Sequence, residues 1–498
     1  MFASRLGLIA VCLAVLSACN KPSREADTAP PAAESAKPAQ PSASPSVSPE
    51  MKQAADKIIA AARQDEQGWA RLTALCDRVG NRFTGTPGLE HAIDWALADW
   101  TKDGLDDVRR EAVMVKRWKR GAESLLLMQP NGPRPLPMLG LGNSPGTGER
   151  GITAPVVVVA DFDQLQKLGD AVRGKIVLFN FPMKTKDNMF EAYGDAVIYR
   201  WKGPVEASKA GARAALVRSV TTRSLRTPHT GSTKLIDPSE DKTSPIPAAA
   251  ISIEDAEMFQ RLSDAGITPV VTLTMAAKRL PDVPSANVVA ELRGREKPEE
   301  IVLIGGHLDS WDVGQGAHDD GAGVVMSMQA VSLLKRLGLR PRRTIRAVLF
   351  ANEECGLDGG RTYSQTHKAE ATLHVVAMES DSGGFRPTGF SVFTTQPGLD
   401  TANNWLTLFA PIAALKITPA KGSPGADIGP MVALGVPGVG ISIESTHYFD
   451  YHHTEADTLD KVVPADFKDS VAAYTLMAWL LAESPEPLPR PPKEDKGE

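Results

Sequence analysis

Nothing in this sequence suits a nucleic-acid or nucleotide partner. There is no long basic run, and 55 lysines and arginines against 60 acids leave a formal charge of −5, the wrong sign for a phosphate backbone. No G-x-G-x-x-G or phosphate-loop pattern stands between a strand and a helix. The glycine stretches GGH (305–307) and GQGAHDDGAG (314–323) adjoin acids and histidines instead. Beyond the first twenty residues, no segment approaches the roughly 20 apolar residues that a membrane span requires. Cysteine is scarce, at four in 498 residues. Cys12 and Cys19 fall in an N-terminal leader. Cys76 lies in a helical run and Cys355 follows two glutamates, so two buried free thiols are expected rather than a disulfide.

The leader has Arg5 as its positive region, an apolar stretch at 6–16 and the sequence LSAC ending at Cys19. That pattern matches a bacterial lipoprotein signal (1–18), cleaved to leave a lipid-bearing Cys19; the alternative is an ordinary secretory signal and a secreted or periplasmic soluble protein. Asn20 after the cysteine favours the outer membrane, facing the periplasm. Residues 19–49 are proline, alanine and serine without apolar period, a disordered tether.

What the chain does contain is five short segments rich in acids and histidine: His307-Leu308-Asp309, His318-Asp319-Asp320-Gly321, Glu353-Glu354, Glu379-Ser380-Asp381 and His452-His453-Thr454. Apolar runs at 301–306, 344–352 and 373–378 read as buried parallel strands, and they deliver His307, the Glu353-Glu354 pair, and Glu379 with Asp381 to one rim. Open α/β sheets bind ligands at that edge. Imidazole and carboxylate together suit zinc. Two metals about 3.5–4 Å apart need a bridging carboxylate and about two further ligands each, which this set supplies. From Ala322 a helix is expected, with Val324, Met328, Val331 and Leu334 on one face. Asp320 before it is either part of the site or a helix cap worth about 1 kcal/mol.

These segments, taken as HLDSWDVGQGAHDDGAG, the EE pair, MESDSGGF and FDYHHTEADT, resemble the co-catalytic zinc exopeptidase family. That family contains bacterial leucyl aminopeptidases and glutamate carboxypeptidase, and the carboxypeptidase Q type matches most fully. The resemblance runs from about residue 60 onward and includes RLTALCDRVGNRFTGTPGLEHAIDWA. It implies two zinc ions per chain. His307, Asp319 and Asp381 would hold one, and Asp319 would bridge to a second held by Glu354 and His453. Glu353 would be the general base, taking a proton from water and passing it to the leaving amine. The resemblance also implies a cis peptide between Asp319 and Asp320, and family members are often homodimers.

Around that set, Asp309 is placed to accept the other N–H of the His307 imidazole. Asp457 would do the same for His453 or is a solvated loop acid; Asp427 is an acid near substrate or a turn residue; Trp311 walls the pocket or packs. Consecutive side chains point apart, so one each of His318/Asp319 and His452/His453 should ligate, leaving His452 for substrate contact. His91, His229, His367, His374 and His447 are read as packing or surface residues.

Strands alternating with helices predict an α/β fold with a doubly wound, mostly parallel sheet. The catalytic domain would comprise 50–133 and 278–484, interrupted at 134–277 by a β-rich inserted domain resembling a protease-associated domain. Residues 485–498 form a polar tail. The functional expectation is a zinc exopeptidase acting on small peptides with free termini, as a dipeptidase or aminopeptidase. The alternatives are a glutaminyl cyclase-like zinc acyltransferase or a catalytically silent binding protein on the same fold.

Overall fold

The computed structural model describes residues 47–492 apart from 238 and 240. The lipoprotein signal, nearly all of the tether and the last six residues of the tail lie outside the described residues.

Two eight-stranded sheets organise the chain. In the first, the strand Lys297–His307 runs parallel to Arg343–Phe350 on one side and to His374–Glu379 on the other, and Gly438–Ile443 continues the parallel set. All four are buried over most of their length, from Ile301 onward in the first, because helices cover both faces. The margins differ from a purely parallel sheet. The long strand Lys278–Leu292 joins antiparallel to Arg343–Phe350 and pairs on its other side with Asp106–Lys119, while Pro387–Phe393 lies antiparallel to Gly438–Ile443.

On one face pack the helices Pro49–Gln64, Ala322–Arg336 and Pro464–Glu483, around a core that includes Ile58, Val325, Leu334, Tyr474 and Leu480. Pro464–Glu483 is buried along most of its length, so its sequence lacks the polar stripe of a surface helix. Asp358–Thr366 and Gly429–Val432 cover the other face, with Tyr363, Ile428 and Met431 against Leu303 and Phe350. After Ser484 the chain stays docked as far as it is described, with Leu488 buried and the Arg490 guanidinium donating to the carbonyls of Ala371, Thr372, His374 and Gly435.

The second sheet has a parallel centre, Ile152–Val159, Ile176–Phe179, Ala214–Arg218 and Ala248–Ile251. Val270–Met275 joins antiparallel to Ile152–Val159, and Glu123–Met128 pairs with it in turn. Helices Met189–Trp201 and Gly203–Lys209 belong to this second layer. Among the described residues no helix is long and apolar enough to cross a membrane. Cys76 and Cys355 are both buried and unpaired.

Candidate functional site

Strand register sets the site. His307 ends its strand opposite Phe350, and Gly305 pairs with Glu379, which pairs with Gly440. The carboxyl ends of all these strands therefore open on one rim, where the loops bearing Glu353, Asp381 and His453 begin. The helix Ala322–Arg336 starts so close to that rim that a Cβ on Gly306 would lie 2.4 Å from Asp320 Oδ2. Only glycine fits there. Asp320 itself accepts the backbone N–H of Gly323, as a helix cap, and that of His307, pinning the strand end. The peptide bond joining Asp319 and Asp320 is cis.

Asp319 sits at the centre. Its Oδ1 lies 3.3 Å from His307 Nε2, and its Oδ2 lies 3.2 Å from His453 Nε2. His307 Nε2 is also 3.5 Å from Asp381 Oδ1, and His453 Nε2 is 3.0 Å from Glu354 Oε2. The far nitrogen of each ring decides what these contacts mean. His307 Nδ1 is 3.0 Å from the Asp309 carbonyl and His453 Nδ1 is 3.2 Å from the Thr230 carbonyl. A carbonyl only accepts, so His307 Nδ1 carries a proton, and His453 Nδ1 carries one when it serves the Thr230 carbonyl rather than the Arg200 Nη1 donor at the same 3.2 Å; a neutral ring in that state presents its Nε2 lone pair to the carboxylate oxygens. With both rings neutral and the acids ionised, acceptors face acceptors at two places around one carboxylate, which a cation at each place reconciles. Asp319 Oδ2 and Glu354 Oε1 are buried without a hydrogen-bond partner, in keeping with the same need. The donor set thus fits two metal ions.

Electrostatics agree. Burial pushes the Glu353 carboxyl well above its usual range, with Asp381 and Glu354 nearby adding to the effect. Burial also raises Glu354 to about 7, against the pull of His453. For His453 burial acts downward, yet Glu354 and Asp319 beside it raise the imidazole to about 9. A bound cation would replace these protons.

Several neighbours differ from their sequence reading. The Asp309 carboxylate does not take the His307 N–H; it accepts the backbone N–H groups of Glu353 at 2.9 Å and Glu354 at 3.4 Å, so it holds that turn. Asp457 does not partner His453 either. Its oxygens accept the backbone N–H groups of His318 and Asp319 at 2.8 and 3.1 Å, fixing the central loop. The expectation that His452 and His453 point apart fails. His453 has φ +62, which turns the chain so that the two rings stack at 3.6 Å with Asp319 beyond both. His318 does turn away, stacking on Phe385. Asp427 is buried with both oxygens unpartnered, unlike a surface turn residue, and burial raises its carboxyl well above the ordinary range. Trp311 packs between Phe83 and His453.

Sequence reasoning missed Arg82, which is fully buried and donates to the carbonyls of Leu308, Gln315 and Gly316, bracing the loop between two ligand-bearing segments. It also missed Arg200, whose guanidinium lies 3.2 Å from His453 Nδ1. Neither carries a local pattern. The contacts that tie each to the site are with backbone carbonyls more than 200 residues away for Arg82 and with a ring from the other layer for Arg200.

Glu353, Glu354, Asp319 and Asp381 line a cavity of about 740 Å³ shared by the two layers. The second layer contributes Phe190, Tyr193, Arg200 and Trp201, and the first adds Tyr448 and Phe449.

A family model described as "Peptidase family M28" matches residues 287–477. Carboxypeptidase Q of Homo sapiens is 40% identical over 428 residues, spanning 86% of this chain and 88% of the relative. The crystal structure of a peptidase M28 precursor from Shewanella amazonensis is similar with a TM-score of 0.85 at 35% identity, over 89% of this chain and 99% of that one. An aminopeptidase from Aneurinibacillus shares the fold at a TM-score of 0.61 and 20% identity, over 88% of this chain and 98% of that one.

Proposed function

We propose, from the premise that this chain belongs to peptidase family M28, that it is a di-zinc exopeptidase hydrolysing small peptides with free termini. It is a metallo-exopeptidase by that membership. One observation carries the finer reading: two imidazole Nε2 atoms face carboxylate oxygens on either side of the shared Asp319. His307, Asp319 and Asp381 would hold one ion, and Asp319, Glu354 and His453 the other. His453 is preferred over His452 because its Nε2 meets both Glu354 and Asp319, whereas His452 Nε2 reaches only Asp319, at 3.7 Å.

When bound, the zinc pair supplies Lewis acidity that polarises the scissile carbonyl and acidifies water. Glu353 does the proton work. Its carboxylate lines the cavity and has no protein hydrogen-bond partner among the described residues, so it is free to take the proton of the attacking water and return it to the leaving amine. Asp309 positions Glu353 by holding its backbone N–H. The cavity volume suits a ligand of a few residues rather than a folded chain, and the aromatic wall suits an apolar side chain. The second layer, read as the inserted domain 134–277 with the strand Glu123–Met128 paired to it, bounds that volume and sets the substrate length.

The decisive assay follows hydrolysis of an unblocked dipeptide beside its N-acetylated and C-amidated forms, with and without a chelator. Chelator-sensitive cleavage blocked by N-acetylation alone defines an aminopeptidase; cleavage blocked by either modification defines a dipeptidase. Chelator-resistant cleavage, or none of any form, refutes the proposal. The leader reading further places the enzyme in a bacterial envelope, lipid-anchored at Cys19. Labelled palmitate retained by Cys19→Ala would count against that placement.

A further inference from the structure

The His452-His453 segment follows the catalytic sheet, but what holds it comes from the second layer. His229 Nδ1 is 2.9 Å from the His452 carbonyl and donates to it. The Thr230 N–H donates to the His453 carbonyl at 3.0 Å, and the Thr230 carbonyl receives His453 Nδ1–H at 3.2 Å. Two residues of one layer thus grip both backbone carbonyls and the ring of the other. Arg200 completes the grip: its Nη1 lies 3.2 Å from His453 Nδ1 and 3.4 Å from the same Thr230 carbonyl, and with Nδ1–H turned to that carbonyl it is the carbonyl that takes the Nη1 hydrogen, while Nη2 donates to Tyr193 Oη at 2.9 Å. The guanidinium lies flat on Gly231, where a Cβ would come within 2.3 Å of Arg200 Cζ. Gly231 has φ +138, a second reason for glycine at that position.

His453 has reason to need this. A non-glycine residue at φ +62 sits in a sparsely populated region and stays there only where surrounding contacts hold it. Its imidazole is useful to a metal here only with the Nε2 lone pair free, the form favoured when Nδ1–H is directed at the Thr230 carbonyl rather than Nδ1 accepting from Arg200.

We propose that His229, Thr230 and Arg200 form a positioning clamp by which the second layer holds His453 in its ligating orientation, with the Thr230 carbonyl as the acceptor of its Nδ1–H. This rests on the di-zinc reading above. The second layer is then a structural half of one metal position, the one shared by Glu354, Asp319 and His453, while the position at His307 and Asp381 is independent of it. A rigid-body opening of that layer would release one metal and spare the other.

The test measures zinc on the full chain by equilibrium dialysis and by competition with a colorimetric chelator, with no reference to peptidase activity. The wild type should hold two ions. His229→Ala, which removes the donor to the His452 carbonyl, should weaken one ion about 10- to 100-fold and leave the other unchanged. Asn at the same position places an amide N–H where Nδ1–H was, so His229→Asn should restore two tight ions. Arg200→Met should reproduce the selective loss by a different contact, and covers the case that His229→Ala does not fold. Two ions at wild-type affinity in both His229→Ala and Arg200→Met would overturn the clamp while leaving the zinc reading intact, and equal weakening of both ions would also overturn it. A wild type that binds no zinc would overturn both.

Discussion

Replacing Glu353 by glutamine isolates the proton-transfer role, because the amide keeps the size and shape of the side chain and loses only the ability to take a proton. The backbone should not move: the Glu353 N–H is fixed by Asp309 Oδ1 at 2.9 Å, which the substitution leaves in place. Neither does the change touch a proposed ligand, since Glu354 and not Glu353 faces His453. Zinc content should therefore remain at two. General acid–base catalysis by a positioned side chain contributes about 10²- to 10⁴-fold, so kcat should fall by that factor, which corresponds to about 3–5 kcal/mol of transition-state stabilisation. KM should change little. The same change has an opposite effect on stability. Glu353 is an acid whose carboxyl burial pushes upward, with Asp381, Glu354 and Asp309 adding to it; at neutral pH folding must protonate it or bury its charge, a cost the amide does not carry. The melting temperature of the metal-free Glu353→Gln protein should rise, a trade of stability against activity. Steady-state kinetics on a dipeptide, metal analysis and thermal melts of apoprotein read all three effects. A kcat within tenfold of wild type would remove Glu353 from the base role, and loss of a metal would show that it is a ligand instead.

Asp319→Ala removes the carboxylate that faces both imidazoles, so both ions should be lost to dialysis; retention of two would refute the bridging assignment. Gly306→Ala places a methyl 2.4 Å from Asp320 Oδ2 and 3.0 Å from the backbone of Gly323, and should destabilise the fold by about 1–3 kcal/mol in urea unfolding; an unchanged midpoint would contradict the packing at the rim. His374, far from the site, is held neutral by burial, with its imidazole lowered from 6.5 to about 4. It donates from Nδ1 to the Glu370 carbonyl and accepts from Tyr363 Oη. Above pH 6.5 it adds no pH dependence. As the pH falls from there towards 4 the unfolded chain binds a proton that the folded chain refuses, and stability drops by about 3 kcal/mol before levelling off. Metal-free His374→Gln should lose less stability than wild type between pH 7 and pH 4.5; parallel curves would refute the assignment.

Much of the site was legible because its chemistry is local in sequence. Apolar runs of strand length ending in His307, Glu353-Glu354 and Glu379-Ser380-Asp381 read as buried strands with acids at their carboxyl ends, and parallel register then brings those ends together by construction. Asp309 and Asp457 were legible as acids near the site but not in their partners. Each was assigned to a neighbouring imidazole by sequence spacing, whereas each in fact satisfies two backbone N–H groups. Residue spacing gives proximity along the chain and says nothing of which donors a fold leaves unpaired.

The sequence by itself therefore determined the α/β class, the rim on which the chemistry lies and the kinds of group that meet there, because these follow from hydrophobic period and residue type. Tertiary structure decided how those groups are held. It set the left-handed turn at His453 that stacks two histidines meant to diverge, the burial that leaves Asp427 without a partner, and the reach of Arg82, Arg200 and Thr230 across more than 200 residues to the loops they brace. Those contacts join backbone atoms and side chains that only packing brings together. A carbonyl oxygen is the same atom in every residue, so no pattern of side chains announces which one a histidine will need.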